Sequence, residues 1–340
     1  MKVQTTRLGD DWLMRIDAEH GIGVVGQVVL GDSLWLAVNR DREGGYDVRY
    51  LEIVDGEVVR DIGETCGVSP DLFVHDGAVW AVVCDPYGER DRELVAPVVE
   101  RASDPKRFPP FHGAVVGVHE GVLWRHQPDP KGDRLLPFTL ATGKRSKQIK
   151  LEPSYNMCFV ERDGLNLLRI TDVHTHVHVD SAGRPDRERV LRIDLRQELG
   201  ARSPLRLSGN EPAMLVAAGN AIHHLRFDAE GTQRAAESLA ESENGIWNLW
   251  PVAHTARGFA TAFNGESISG WLYASDGVRE MYTLAANGFV DARGNVLELP
   301  AAKWRTPKIL ASAQRYFAVC EASAARGRHG TMFVFGRNAA

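Results

Sequence analysis

One hairpin-like phrase, residues 71–84, returns along the chain and constrains the fold more than any other feature of the sequence. Its apolar residues alternate up to Asp76 and Gly77, and a second apolar run follows. Two β-rich runs separated by Asp-Gly are a strong local signal for a β-hairpin. Variants of the phrase return about every 45 residues, which is typical of a fold that repeats one small unit. The sequence therefore predicts an all-β repeat protein.

Seven units follow from this period, and most of them contain four short β-like runs. In the fifth unit the last run, residues 233–239, is rich in Ala and Glu and could equally form a helical turn. The seventh unit is one run short, and residues 2–16 are the candidates for the missing strand. A further hairpin is inserted at residues 287–300. The predicted units are 22–65, 66–110, 111–152, 153–200, 201–243, 244–286 and 304–337.

Four-stranded units at this spacing, with almost no helical periodicity between them, are typical of β-propeller blades. Over essentially the whole chain the pattern resembles the seven-bladed β-propeller superfamily. The resemblance implies one domain, residues 1–340, whose ring is closed by an N-terminal strand. A count of six or eight blades would need only one misread unit. The WD, kelch and sialidase-type signatures are absent from the sequence, so the resemblance carries no catalytic residue with it.

Composition narrows the classes of partner. Apolar residues make up 44% of the chain, and the net charge of −5 provides no basic surface for nucleic acid. No apolar run approaches the ~18 residues that a membrane span needs. The first seven residues contain no apolar signal region, and the four cysteines are isolated in the sequence. These features predict a cytoplasmic protein with neither a nucleic-acid nor a membrane partner.

A glycine-rich segment, residues 21–26, matches the GxGxxG dinucleotide fingerprint. That motif binds a pyrophosphate only where a helix follows it, because the helix N-terminus meets the phosphates. Here the next residues are rich in valine and turn at Gly31, which leaves no room for a helix. The segment therefore predicts the beginning of an inner β-strand, and no organic cofactor is expected.

Three histidines, His174, His176 and His178, alternate along one predicted strand and therefore share a face. Imidazoles on one face are potential ligands of zinc or copper. The first and last lie roughly 13 Å apart along a strand, so one ion could contact two neighbours at most. The favoured interpretation is that the histidines form hydrogen bonds between neighbouring units. The alternative is a weak divalent-metal site at His174 and His176, and with it a metal-dependent enzyme.

Loops that lead into the innermost strands of a propeller, and loops that join second to third strands, gather on one face around the central channel. Concave ligand sites form where such loops converge. The candidates for catalysis are His112 and His20 as bases, Glu211 and Asp71 to orient them, and Arg305 to hold an anionic group. The candidates for ligand binding are Tyr155, Asn156, Trp247, Asn248, Trp250, Tyr87 and His126.

These residues predict that the protein binds a small polar or glycan-like ligand at the central mouth. Turnover there would be of a lyase or hydrolase kind with a histidine as the general base. The alternative is a scaffold for a protein partner, because propellers offer broad rigid faces. In that case the hairpin 287–300 and the loop 323–329 would expose apolar groups on one face.

Overall fold

The computed structural model of the 340-residue chain is all-β in the residues that it describes. No helix among those residues is long and apolar enough to cross a membrane. The described residues are 1–9, 11–18, 22–42, 45–64, 70–84, 93–99, 106–108, 113–152, 155–161, 163–171, 173–180, 182–241, 248–251, 258–263, 268–274, 277–285, 288–291, 296–298, 303–304, 308–311, 315–323 and 330–338.

The strands follow one another along the chain with short connections. The first sixteen are β1 (Lys2–Leu8), β2 (Asp11–Ala18), β3 (Ile22–Leu30), β4 (Ser33–Arg42), β5 (Gly45–Val54), β6 (Glu57–Glu64), β7 (Asp71–His75), β8 (Ala78–Cys84), β9 (Glu93–Pro97), β10 (Lys106–Phe108), β11 (Ala114–His119), β12 (Val122–Gln127), β13 (Arg134–Thr139), β14 (Ile149–Lys150), β15 (Tyr155–Glu161) and β16 (Gly164–Ile170). The others are β17 (His174–Val179), β18 (Pro185–Leu191), β19 (Leu199–Arg206), β20 (Ala213–Ala218), β21 (Ala221–Phe227), β22 (Gln233–Glu241), β23 (Asn248–Pro251), β24 (Gly258–Phe263), β25 (Ile268–Ala274), β26 (Gly277–Ala285), β27 (Gly288–Asp291), β28 (Val296–Glu298), β29 (Lys303–Trp304), β30 (Lys308–Ala311), β31 (Arg315–Ser323) and β32 (Gly330–Asn338).

The strands pair into antiparallel sheets, seven of them in the described part of the chain. Sheets 1 to 5 each contain four consecutive strands: β3–β6, β7–β10, β11–β14, β15–β18 and β19–β22. Sheet 6 contains β23–β26 and is extended by β27 and β28. Sheet 7 contains β1, β2 and β29–β32. Consecutive four-stranded antiparallel sheets of this kind are consistent with a β-propeller.

The repeated hairpin phrase forms the predicted structure. β7 and β8 pair through a two-residue turn, in which Asp76 has φ of 50° and Gly77 has φ of 69°. Positive φ at both turn residues gives the twist that two antiparallel strands need, and Asp and Gly adopt it readily. The hairpin prediction is confirmed.

Two ambiguous segments are strands. Residues 233–239 fall in β22, which pairs with β21 along its length, so the helical-turn alternative is wrong for that segment. The glycine-rich motif continues directly into β3, and no helix follows it. A Cβ at Gly26 would lie 2.4 Å from the carbonyl oxygen of Pro70. Glycine at this position therefore allows β3 to approach the residue that precedes β7, which is a packing role.

The chain divides into two compact units, unit 1 (residues 1–151 and 303–340) and unit 2 (residues 152–302). Unit 1 contains sheets 1, 2, 3 and 7, and unit 2 contains sheets 4, 5 and 6. In unit 1, separate apolar clusters lie between sheets 7 and 1, between sheets 1 and 2 and between sheets 2 and 3. In unit 2, one cluster lies between sheets 4 and 5, and another joins sheet 5 to Leu249 of β23. Face-to-face packing of neighbouring sheets thus forms the core.

Sheet 7 joins the beginning of the chain to its end. β2 pairs with β32 so that Trp12 lies opposite Gly336, and β1 pairs with the outer edge of β2. The indole of Trp12 is 1% exposed and covers Gly336, where a Cβ would lie 2.2 Å from Cζ2 of the ring. The ring of Phe317 lies 6.1 Å from that of Trp12. The contact between Trp12 and Gly336 therefore fixes how β2 sits on β32.

Candidate functional site

Asp71 is the first residue of β7, and strand alternation decides which way its side chain points. Leu72 and Val74 pack against the cluster between sheets 1 and 2. Phe73 belongs to the cluster between sheets 2 and 3. Asp71 shares a face with Phe73 because residues two apart on a strand point the same way. Its carboxyl group therefore lies at the end of the apolar layer between sheets 2 and 3.

Arg125 of sheet 3 is the charged side chain whose electrostatic effect reaches this carboxyl group. It lies on β12 directly opposite Val115 of β11, on the same face as the core residue Leu123. The Arg125 side chain is only 5% exposed, and its guanidinium donates a 2.6 Å hydrogen bond from Nη2 to the carbonyl oxygen of Gly113. This bond holds the arginine at the beginning of β11.

The surroundings of Asp71 act on its pKa in opposite directions. Burial is the largest effect, and it raises the pKa of this carboxyl above its ordinary value. The positive charge of Arg125 and a hydrogen bond from the backbone N–H of Val115 favour the carboxylate and partly offset the rise. A carboxyl group with a raised pKa beside a specific charge is the kind of group found at ligand and catalytic sites.

His126 follows Arg125 and points to the other face of β12. Its Nε2 lies 2.9 Å from Oδ2 of Asp133, and the two residues are 9% and 1% exposed. Oδ1 of Asp133 accepts a hydrogen bond from the backbone N–H of Asp129, which fixes the carboxylate. With an ionised Asp133, Nε2 carries the proton and Nδ1 of the imidazole is free to accept one. An imidazole oriented in this way by a carboxylate can act as a general base.

Other predicted residues of unit 1 lie outside the described residues. They are His20, Tyr87, His112 and Arg305. His112 directly precedes Gly113 in the sequence. Its role as a base stays a prediction.

Tyr155 of unit 2 begins β15 and is buried. The guanidinium carbon of Arg169 lies 5.9 Å from the centre of the phenol ring, and Arg169 pairs with Glu152. Burial raises the pKa of the Tyr155 hydroxyl, with opposing and reinforcing effects from nearby charges. The phenol and the guanidinium thus form one packed group at the beginning of β15.

Glu211 is exposed in the loop between β19 and β20, at the opposite end of sheet 5 from the beginning of β19. Glu211 was predicted in a loop that leads into an innermost strand, whereas this loop joins the first and second strands of sheet 5. Trp247 lies outside the described residues, and Asn156, Asn248 and Trp250 lie on β15 and β23 with side chains outside the described part.

The three alternating histidines of β17 share a face, as predicted, and all are buried. Each has a separate partner. Nε2 of His174 accepts a 2.7 Å hydrogen bond from Nε of Arg202, and Nε2 of His176 lies 2.7 Å from Oδ1 of Asn166. His178 binds Asp186 through Nδ1.

Of these three histidine bonds, the one with Arg202 joins sheet 4 to sheet 5, so hydrogen bonding between neighbouring repeat units is confirmed for His174. Asn166 and Asp186, the partners of His176 and His178, lie within sheet 4. Burial lowers the pKa of His174 to about 4 and that of His176 to about 3. In the described part of the chain, no group of three or more His, Cys, Asp or Glu side chains is placed to hold a metal ion. A divalent metal at His174 and His176 stays a prediction.

Sequence reasoning missed Arg125 and Asp133. Arg125 could have been found from the alternation of β12, since Leu123 and Arg125 must share a face. That this face packs against sheet 2 can be seen only from the packing of the sheets in the structure. Asp133 carries a weaker signal, because it lies seven residues after His126 across a loop of Pro, Asp, Lys and Gly.

No model of a protein family matches the chain, and no curated protein matches its sequence. Solved structures match its fold. The polysaccharide lyase Uly1 is 7% identical over 94% of this chain and 90% of its own, with a TM-score of 0.53. An acylaminoacyl peptidase is 8% identical over 94% of this chain and 52% of its own, with a TM-score of 0.58. A prolyl endopeptidase is 8% identical over 94% of this chain and 54% of its own, with a TM-score of 0.53.

Identities this low show the fold alone, and these solved structures include propeller-type proteins. The chain is therefore all-β, and it shares its succession of four-stranded antiparallel sheets with proteins of the propeller type.

Proposed function

We propose that the protein binds a small polar or glycan-like ligand where sheets 2 and 3 bring Asp71 and Arg125 together. The observation that supports this most strongly is the partly buried Asp71 carboxyl group. Burial raises its pKa, and the positive charge of the buried Arg125 partly offsets this rise. Desolvating a carboxyl group costs stability, and groups whose pKa is perturbed by burial beside a specific charge cluster at ligand and catalytic sites.

The two side chains have different roles in this proposal. Asp71 is partly exposed and contacts the ligand, either by accepting hydrogen bonds from hydroxyl groups or, when protonated, by donating one. Arg125 is buried and donates a hydrogen bond to Gly113, so it is a positioning residue. Its positive charge favours the ionised form of Asp71. Exchange of a proton at Asp71 is the step that a lyase or hydrolase would need.

Sugars are the first ligand class to test. A polysaccharide lyase has a similar fold over almost its whole length, although no residue can be transferred at 7% identity. A partly buried carboxyl group such as that of Asp71 can accept hydrogen bonds from sugar hydroxyl groups.

The blade count and the closure of the fold belong to the same proposal. We propose that each of the seven sheets is one propeller blade and that β2 supplies the outer strand of the blade formed by β30, β31 and β32. The pairing of β2 with β32 supports this assignment. So does the continuous hydrogen bonding from β2 to β30.

A thermal-shift panel tests the ligand proposal. It contains neutral and acidic oligosaccharides, organic acids and nucleotides, and it compares the wild type with Asp71→Asn. A ligand at ~100 times its dissociation constant stabilises a protein by about 2.7 kcal/mol, which raises the melting temperature by a few degrees. We expect at least one hit from the oligosaccharides or organic acids, with binding weakened about tenfold or more in Asp71→Asn.

Asp76→Asn is the matched control, because Asp76 is an exposed turn residue five positions away and Asn tolerates its positive φ. This variant should keep the full shift. A hit that survives unchanged in Asp71→Asn contradicts the proposed site. A panel without any hit favours the scaffold alternative, for which the extension of sheet 6 by β27 and β28 offers an outer edge.

A further inference from the structure

Arg202 of unit 2 has an unusual set of partners. It lies in the middle of β19, where its Nε donates a 2.7 Å hydrogen bond to Nε2 of His174. Its Nη1 donates a second bond of 2.7 Å to the carbonyl oxygen of Gly200. Neither partner carries a negative charge, because His174 is buried and its pKa is far below neutrality.

Among the described arginines of unit 2, some pair with a carboxylate, and others, such as Arg189 and Arg206, bond to backbone carbonyl oxygens. Several lie within ion-pair distance of a carboxylate, whereas none of the described carboxylates lies within that distance of Arg202. The carboxylate pairs are Arg169–Glu152, Arg184–Asp180 and Arg234–Asp228.

The charge on Arg202 is also partly withdrawn from water, and this desolvation lowers the pKa of its guanidinium from the ordinary value. A partly buried positive charge without an acidic partner is unfavourable, and an anion in contact with it would relieve the cost.

The hydrogen-bond donors left over point to the kind of anion. Because His174 accepts at Nε2, its neutral ring carries the proton on Nδ1. The two N–H groups of Nη2 of Arg202 make no hydrogen bond within the described residues, and one N–H of Nη1 is also uncommitted. The outer edge of a guanidinium, formed by both Nη atoms, matches the two oxygens of a carboxylate or phosphate.

We propose that Arg202, oriented by His174, forms a binding subsite for an oxyanion, either a carboxylate or a phosphate group. The bond from Nε to His174 and the bond from Nη1 to Gly200 fix the plane of the guanidinium before the anion arrives, so little side-chain entropy is lost on binding. The subsite joins the beginning of β17 in sheet 4 to the middle of β19 in sheet 5. This inference rests on unit 2 and is independent of the proposed role of Asp71.

The test uses thermal shifts of the full chain in sodium phosphate and in sodium succinate, each compared with sodium chloride at equal ionic strength. We expect one or both oxyanions to raise the melting temperature of the wild type by a few degrees over the chloride reference. Arg202→Gln should lose this rise, with binding weakened at least tenfold, and Arg202→Lys should keep only part of it. A rise in phosphate alone identifies a phosphate subsite, and a rise in succinate alone identifies a carboxylate subsite.

Arg206→Gln is the matched control. Arg206 lies on the same strand and is exposed, with its Nη2 3.4 Å from the carbonyl oxygen of Glu211, and its loss should leave the anion response intact. An anion response that persists in Arg202→Gln, or that disappears equally in Arg206→Gln, overturns the inference. So does the absence of any difference between the oxyanions and chloride in the wild type.

A second measurement needs no variant, and it decides the question if Arg202→Gln does not fold. Phenylglyoxal modifies accessible guanidinium groups, and mass spectrometry of the digested wild type reports the extent at each arginine. We expect phosphate or succinate to protect Arg202 several-fold while Arg206 is modified at the same rate. Equal modification of Arg202 with and without the oxyanions contradicts the subsite.

Discussion

Acidification from pH 7 to pH 5 is expected to lower the free energy of unfolding by about 4 kcal/mol through two buried histidines, His174 and His176. Burial is the main cause of their lowered pKa values, about 4 and about 3, and the positive charges of Arg202 and Arg189 add to it. In the unfolded chain both imidazoles titrate near pH 6.5. Between about pH 6.5 and pH 4, these two histidines therefore bind more protons in the unfolded state than in the folded state.

The sign and the pH range follow from these values. Above about pH 6.5 both histidines are neutral in either state, so their contribution to stability is fully present. As the pH falls below 6.5 the unfolded state gains protons and the contribution is lost. The loss ends near the folded pKa values, about 4 for His174 and about 3 for His176. At pH 5 unfolding should take up about two protons through this pair.

Urea denaturation between pH 8 and pH 5 measures this dependence. The matched variant is His174→Gln/His176→Gln, since glutamine can accept from Arg202 at one position and donate to Asn166 at the other. The comparison at pH 8 is the control, because both histidines of the wild type are neutral at that pH and differ from glutamine only in packing and hydrogen bonding. We expect the variant to lose far less stability at pH 5 than the wild type does. Parallel curves for the two proteins would contradict the buried, neutral state of these histidines.

Replacing Trp12 by alanine is expected to cost about 3–5 kcal/mol of stability, the range for removing a large aromatic side chain from a core. The indole is buried between Gly336 and Gly56 and lies against Phe317. Its loss leaves a cavity at the point where β2 joins β32. Equilibrium unfolding in urea measures the cost.

Gly336→Ala tests the same contact from the other strand. The new Cβ would lie 2.2 Å from the Trp12 ring, so the ring must move, and we expect a cost of about 1–3 kcal/mol. In the Trp12→Ala background the ring is gone, and Gly336→Ala should then cost little. The two effects should therefore be strongly non-additive. Simple additivity would show that Trp12 does not cover Gly336.

Local signals in the sequence were sufficient to predict the repeated β-hairpin. The Asp76–Gly77 turn could be predicted because few residue pairs adopt positive φ at both positions. The strand conformation of β22 could not be predicted with the same certainty, since Ala and Glu favour helices. Its pairing with β21 makes this segment a strand.

The candidate site could be predicted only in part. Asp71 was found because the repeat places it at the beginning of an inner strand. Arg125 was missed, since its electrostatic effect on Asp71 depends on which faces of sheets 2 and 3 pack together, and a single strand does not reveal that. Arg202 was missed for the same reason, because its partner His174 lies on another sheet. Contacts between sheets are tertiary, and the period of the repeat does not specify them.

Titration of the Asp71 carboxyl group by NMR shows whether this group is desolvated and faces the charge of Arg125. Aspartate labelled with ¹³C at the carboxyl carbon supplies the signal, and its loss in Asp71→Asn supplies the assignment. The account predicts a midpoint above 3.8, the ordinary value, and a further rise in Arg125→Gln, because the guanidinium holds the pKa down. A midpoint at or below 3.8, unmoved in Arg125→Gln, would contradict a desolvated Asp71 facing Arg125 and remove the basis of the proposed site.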